Sequence, residues 1–378
     1  MKKYLMLLVI ILLLTACNNA KEIERMYYIH AIGIDYVDGH YEVYNQVLNF
    51  ATMAKEAGSA TDKADAKVGM ASGQTINTAF HNLYHSTSQR MYWGHLAVIV
   101  FSEEALKQGI DEAIDLFARY NETRYTVWLF STESPIKELL TTFPILEGSP
   151  VLGTLGNPID SYRQSSFIPP IRLHRFVSDY NEPGKTVALP HITIKKDVWF
   201  DGEKEFDSLH PEGITLFSNH QYKGKLLGLD MVGYRWLQEK TNRSPIIIQH
   251  QGDPASVIMM QDPKVEIIPV TDGISPKYTI DVEIGGSVIE MEQPVSLQFL
   301  EEEAVKVIEN EIRKTYEKAL AETIDVYSLG YKLYQHDPQL WKKLNTDGQI
   351  PLTEDLLNEV NVKVSIQNAG KNKLKPFQ

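Results

Sequence analysis

Residues 96–132, LAVIVFSEEALKQGIDEAIDLFARYNETRYTVWLFST, contain the pattern that decides the fold. The continuous apolar run from Leu96 to Phe101 predicts a strand buried on both faces. Ser102 is suited to cap a following helix, whose apolar side chains recur at helical spacing: Leu106, Ile110, Ala113, Ile114 and Phe117. A second apolar run, residues 125–132, predicts the next strand. Strand, helix and strand in this order indicate an α/β layer in which helices cover a sheet.

The segments on either side of this stretch extend the same layer. Residues 27–50 predict a central hairpin that turns at Asp38 and Gly39, a dipeptide suited to positive φ. The polar, Ala-rich stretch 52–69 predicts a loop, and residues 73–88 show helical spacing. Residues 143–170 predict a long irregular connection, which is followed by a short helix near 171–180 and a strand at 187–194.

The second half of the chain has a different pattern. After an acidic stretch at 201–213, alternating apolar segments predict strands, and the longest helix is predicted over 300–333. At 378 residues the chain exceeds the usual size of a single core. We therefore expect an N-terminal α/β domain over 27–200, which could subdivide near 143–185, and a C-terminal α+β domain over 210–378. Mixed sheets with covering helices are expected in both.

The N-terminus has the features of an export signal. Lys2 and Lys3 precede ten apolar residues, too few to cross a bilayer. The tetrapeptide Leu14-Thr15-Ala16-Cys17 then resembles the lipobox of bacterial lipoproteins, and Cys17 is the chain's one cysteine. The resemblance implies cleavage after residue 16 and a diacylglycerol thioether, with an N-acyl group as a further option, on Cys17. Residues 17–26 would then be a lipidated tether.

Composition and motifs exclude several classes of function. The net charge of -12, with Lys and Arg scattered along the chain, argues against nucleic-acid binding. His81 and His85 have the spacing of a zinc-protease helix, but Asn82 occupies the position of its catalytic Glu. We find no catalytic residues, no metal ligands and no cofactor motif, and we expect no enzymatic activity.

The hexapeptide RMYWGH, residues 90–95, allows two interpretations. Tyr92 and Trp93 could close the edge of the core, with Gly94 permitting a close approach. Alternatively, Arg90, Tyr92, Trp93, Gly94 and His95 could form a docking surface, since Trp, Tyr and Arg dominate many interfaces.

Residues 89–130, together with HAIGIDYVDGHYEVYNQVLNF (30–50) and the lipobox, resemble the Ger(x)C family of lipoprotein C subunits of spore germinant receptors. DVYSLGYKLYQHDPQLWKKL (325–344) and NVKVSIQNAG (361–370) are similar to the family's last helix region and last strand. The resemblance implies a non-enzymatic, lipid-anchored subunit that assembles with integral membrane A and B subunits.

Its implied location is the outer face of the spore's inner, cytoplasmic membrane, and its implied role is in triggering germination in response to a nutrient. Whether the subunit itself contacts the nutrient stays open. The alternative is a lipid-anchored solute-binding protein, against which the predicted C-terminal meander and long helix argue.

Overall fold

The computed structural model describes residues 26–48, 66–120, 122–143 and 150–368. Within these residues the chain forms a mixed ten-stranded sheet in its N-terminal part and a four-stranded sheet in its C-terminal part. Helices cover both sheets, as the sequence predicts. The expected signal, the lipobox, Cys17 and the tether lie outside the described residues, apart from Met26.

The ten strands of the larger sheet are β1 (Met26–Val37), β2 (His40–Leu48), β3 (Ala66–Gly73), β4 (Arg90–Tyr92), β5 (Val98–Ser102), β6 (Trp128–Thr132), β7 (Ile171–Arg172), β8 (Thr186–Asp201), β9 (Lys204–Ser218) and β10 (Gln221–Leu227). Their order is β10-β9-β8-β6-β5-β1-β2-β3, while β4 pairs with β1 and β7 with β6. Strands β1, β5, β6 and β8 run parallel, so their N-terminal ends lie along one side of the sheet, perpendicular to the strands. We call this row of strand ends the edge of the sheet.

The predicted central hairpin is β1–β2. Asp38 and Gly39 take φ of 49° and 81° at its turn, which explains the preference for this dipeptide. β3 then pairs with β2 along its whole length. The loop predicted over 52–69 is therefore too long, because β3 already begins at Ala66. Residues 49–65 lie outside the described chain.

In the described residues, this part of the chain has six α-helices: α1 (Ile76–Tyr84), α2 (Glu103–Gln108), α3 (Asp111–Arg119), α4 (Ile136–Thr141), α5 (Pro158–Gln164) and α6 (Leu173–Tyr180). Ser102 caps α2 as predicted, accepting a hydrogen bond from Ala105 N at 3.0 Å. The single helix predicted after Ser102 is broken into α2 and α3. Gly109, at φ 108°, is the break, because only glycine readily adopts that conformation.

The C-terminal sheet contains β11 (Ser244–His250), β12 (Asp253–Thr271), β13 (Pro276–Met291) and β14 (Leu357–Asn368). The first three form an antiparallel meander, in which β12 and β13 were predicted as strands and β11 was not. β14 instead runs parallel to β13, because a helical connection carries the chain back before the last strand begins. That connection contains α7 (Leu297–Ala321), α8 (Leu329–His336) and α9 (Pro338–Leu344).

The long helix predicted over 300–333 is wrong in its second half. α7 ends at Ala321, and Thr323 and Ser328 take left-handed φ of 59° and 55°. The buried carboxylate of Asp325 accepts hydrogen bonds from the backbone N–H groups of Leu329 (2.8 Å) and Gly330 (2.7 Å). These bonds replace the carbonyl partners of a continuing helix, so α8 starts as a separate element.

The acidic stretch 201–213 is not a linker in the structure. β9 runs through it in register with β8, so the two strands form one long hairpin of the larger sheet. The next predicted hairpin, β9–β10, also pairs into this sheet, yet its Ile214, Leu216 and Leu226 pack in the C-terminal core. The division at 27–200 and 210–378 remains a proposal.

Candidate docking surface at residues 90–95

Residues 90–95 lie at the edge of the larger sheet where the described chain begins. β4 pairs in parallel with the first residues of β1, and Arg90 is opposite Met26. Cys17 precedes Met26 by nine residues, which span at most about 30 Å when fully extended. The hexapeptide therefore lies within a short tether's reach of the predicted lipid.

The five candidate residues differ in exposure. Trp93 is 5% exposed and belongs to the core between the sheet and its helices, where its ring meets Phe80 edge-on at 5.0 Å. Gly94 is also buried, whereas Tyr92 is half-buried and Arg90 and His95 are exposed. The core interpretation thus fits Trp93, and the surface that a partner could contact consists of Arg90, Tyr92 and His95.

An ion pair fixes the first residue of the surface. Arg90 Nη2 donates to Glu122 Oε1 at 2.5 Å, and the other carboxylate oxygen accepts the backbone N–H of Trp93 at 3.3 Å. Glu122 thereby joins β4 to the loop after α3. Its contribution could not be inferred from the hexapeptide itself, since it is separated from Arg90 by 32 residues.

Three rings contact one another at this surface, of which His95 is exposed and Tyr28 and Tyr92 are half-buried. Tyr28, Tyr92 and His95 meet edge-on, with centroid distances of 5.2 to 6.0 Å. A β-carbon on Gly94 would lie 2.5 Å from the Tyr92 hydroxyl oxygen, so glycine lets this ring lie across the turn. The rings are held in one arrangement, which lowers the entropy cost of binding.

A groove of about 500 Å³ adjoins this surface. Its walls include Tyr84, Arg90, Trp93, Tyr120 and Glu122. The Tyr84 hydroxyl lies 3.5 Å from that of Tyr120, and burial together with this contact raises the pKa of Tyr84. The groove is therefore neutral apart from the Arg90–Glu122 pair.

The histidines outside this surface do not gather into a metal site. His81 and His85 lie on the solvent side of α1, as predicted. In the described ranges, no group of three or more His, Cys, Asp or Glu side chains could hold a metal ion.

Two buried histidines were not singled out by the sequence. His30 Nδ1 donates to Gln46 Oε1 at 2.8 Å, and burial lowers its pKa. His191 lies 3.1 Å from Ser131 Oγ, and burial, with Lys225 nearby, lowers its pKa to about 4. Ser131 and His191 are both almost fully buried, so this pair resembles a catalytic dyad in composition but is closed to a substrate.

A charged cluster joins β10 to the residues that follow β5 and β6, at the C-terminal ends of those strands. Lys225 Nζ contacts both Glu103 and Glu133, and the Tyr222 hydroxyl donates to Glu103 at 2.7 Å. Burial alone would raise the pKa of Glu103, but the hydrogen bonds of the cluster hold it well below its usual range. Every charge here has an internal partner, which is the pattern of a structural cluster.

Three family models match the chain. A model for a spore germination protein N-terminal domain matches residues 19–194, and a Spore germination B3/GerAC-like C-terminal model matches 212–370. A prokaryotic membrane lipoprotein lipid attachment site matches 1–18, the range that contains Cys17. Among the described residues, none of the helices is both long and apolar enough to cross a bilayer. The two spore germination models define the class, a spore germination protein, and a lipid attachment site is matched at its N-terminus.

The chain belongs to the Ger(x)C family, which confirms the resemblance seen in its sequence. Spore germination protein KC of Bacillus subtilis (strain 168) is 23% identical, over 97% of this chain and 95% of its own length. Spore germination protein B3 of the same organism is 21% identical, over 90% and 91%.

The crystal structure of the GerBC protein is similar to this chain, with a TM-score of 0.55 and 16% sequence identity. The similarity covers 91% of this chain and 99% of the GerBC chain. It supports the fold alone. The family is one of receptor subunits rather than enzymes, and the match does not favour the solute-binding alternative.

Proposed function

We propose that this protein is the lipid-anchored, non-enzymatic C subunit of a nutrient germinant receptor. Diacylglycerol on Cys17 would hold it on the outer face of the spore's inner membrane. There it would assemble with the integral membrane A and B subunits and take part in triggering germination. Family membership and the lipid attachment site support this proposal.

One observation carries the assembly step. The exposed Arg90 and His95, with the half-buried Tyr92, lie beside Met26, so an anchor at Cys17 would keep them close to the bilayer. The extramembrane loops of an integral membrane subunit would also lie close to the bilayer surface. Anchoring also raises the effective concentration of the two surfaces, so a small contact area can suffice.

The polar clusters of the larger sheet have internal partners. Lys225 is paired with Glu103 and Glu133, and His191 is sealed beside Ser131. A catalytic site requires a nucleophile or base that a substrate can reach. We therefore assign the polar clusters to structural roles.

Co-purification from spore membranes tests the proposal. A tagged full-length chain should recover two integral membrane subunits after detergent extraction, and Arg90→Ala combined with His95→Ala should reduce that recovery. Lys264→Ala combined with Lys277→Ala, two exposed residues of the C-terminal sheet, is the control and should not. Recovery of the tagged chain without integral membrane proteins would contradict the proposed assembly.

A further inference from the structure

Positive charge is concentrated at the edge of the sheet that contains the docking surface. Ranges 90–95, 119–126 and 171–175 contain five arginines and one acidic residue, Glu122, in a chain whose net charge is -12. The arginines are Arg90, Arg119, Arg124, Arg172 and Arg175. Asp115 and Asp179, just outside these ranges, pair with Arg119 and Arg175. Five arginines against three acidic residues leave a local excess of 5 - 3 = +2 in an acidic protein, which favours an anionic partner.

Direct contacts bring the three ranges together. Arg90 pairs with Glu122, as described above. Arg172 is opposite Trp128 at the start of β6, with its guanidinium 4.0 Å from the Trp128 ring centre. His174 N and Nδ1 both contact the backbone oxygen of Tyr125, at 3.0 and 2.9 Å. The loop after α3 and the start of α6 therefore form one continuous edge with β4.

Much of this charge is available to a partner. Arg119 is 76% and Arg175 is 64% exposed in their side chains. Each forms an ion pair one helical turn away, Arg119 with Asp115 and Arg175 with Asp179. Such exposed pairs contribute little and exchange readily. Arg124 is exposed and has no ion pair within the part of the chain that the structure describes. Tyr125, beside it, is 54% exposed.

The position of the anchor identifies the partner. Met26 begins β1 at this same edge, and the nine residues back to Cys17 span at most about 30 Å. A bilayer that holds the lipid would therefore face the arginines. Exposed arginines and tyrosines together are the side chains suited to the headgroup region of a membrane.

We propose that this edge, which we call the basic edge (the described residues of 90–95, 119–126 and 171–175), is a second membrane contact in which the arginines outside the docking surface bind anionic phospholipid headgroups. The inference rests on the proposed function for its anchor. Arg119, Arg124 and Arg175 supply the charge, and Tyr125 lies at the interface. The two acyl chains of a diacylglycerol anchor already hold a protein stably on a membrane, and the basic edge would add a salt-sensitive contact with the headgroups. The contact would also fix the orientation in which the docking surface meets the integral subunits.

Vesicle flotation of the mature chain without its lipid tests the proposal. Residues 17–378, with Cys17→Ser, retain every described residue. This chain should float with vesicles of phosphatidylcholine and phosphatidylglycerol, and not with phosphatidylcholine alone. Arg119→Gln, Arg124→Gln and Arg175→Gln together should weaken binding by about 100-fold, since each basic residue near an anionic surface contributes about fivefold. High salt should have the same effect.

A matched control removes the same charge elsewhere. Lys240, Lys264 and Lys277 are exposed residues in the C-terminal half, and changing all three to Gln should leave flotation unchanged. Equal binding to both vesicle types, or equal loss in both triple variants, would overturn the proposal. So would a basic-edge variant that binds vesicles normally but fails to recover the integral subunits, because the edge would then be a protein interface.

The experiments distinguish a failure of the membrane-contact proposal from a failure of the receptor proposal. Flotation uses an unlipidated chain without partners, whereas the receptor proposal is tested by recovery of subunits from spore membranes. Thermal melting of both triple variants completes the test, and equal midpoints exclude unfolding as the cause of lost binding.

Discussion

Replacing Trp93 with alanine separates a core role from a docking role at residues 90–95. The ring is 5% exposed and packs against Phe80 and Tyr120 at centroid distances of 5.0 and 6.0 Å. The space between these rings is nearly closed, with a void of only about 10 Å³. The substitution therefore removes a well-packed side chain.

Two routes give the same magnitude for the loss. A buried Trp removes about 200 Å² from water, which corresponds to about 5 kcal/mol. Measured Trp→Ala changes in cores cost about 3 to 5 kcal/mol. We expect Trp93→Ala to lower the free energy of unfolding by that amount, and Trp93→Phe to lose less because an aromatic ring would still contact Phe80.

Urea denaturation followed by circular dichroism measures the loss, with Arg90→Ala as the matched surface control. Arg90 forms a half-exposed pair, so its removal should cost at most about 1 kcal/mol. A Trp93→Ala protein with an unchanged midpoint would refute the core assignment. If that protein also stopped recovering the integral subunits, Trp93 would instead belong to the docking surface.

Three further outcomes are expected. Cys17→Ala should abolish incorporation of labelled fatty acid and leave an uncleaved precursor, and a normally labelled mature protein would contradict the anchor. Lys225→Met should lower the free energy of unfolding by about 1 to 3 kcal/mol, because Glu103 and Glu133 lose their shared cation. Adding Glu103→Gln should restore part of the lost stability. An unchanged melting temperature of Lys225→Met would contradict the structural role of the cluster. Burial raises the pKa of Asp325 from 3.8 to about 6. As pH rises, the unfolded chain therefore loses this proton before the folded chain does. We expect the free energy of unfolding to fall by about 3 kcal/mol as pH rises from about 4 to about 6. Denaturation across that pH range, compared with Asp325→Asn, measures the change, and identical pH profiles would contradict it.

Elements defined by local patterns were predictable from the sequence. The turn at Asp38 and Gly39 requires positive φ, and Ser102 can cap only the helix that follows it. β3 was not predicted, because Ala66–Gly73 has small residues and little alternation. It is a strand because β2 offers it a full set of backbone partners, and no local pattern encodes such a partner.

Only the location of the candidate docking surface was predictable from the sequence. Residues 90–95 stand out by composition, but their exposure depends on α1 and on the loop after α3, which approach from elsewhere in the chain. The basic edge has no continuous sequence signal at all. Its arginines are spread over three ranges, and only the contacts among β4, β7 and the start of α6 bring them together.

The same edge of the larger sheet also joins the C-terminal part of the chain. Ser328 Oγ accepts the backbone N–H of Thr186 and donates to its oxygen, both at 3.1 Å, at the first residue of β8. Next to it, Lys185 lies 4.8 Å from the Tyr331 ring centre. Because the β9–β10 hairpin also gives buried side chains to the C-terminal core, separating the two parts would break these contacts and expose that core. Any displacement of the basic edge against a membrane or a partner must therefore move both sheets together, rather than bend the chain at a linker.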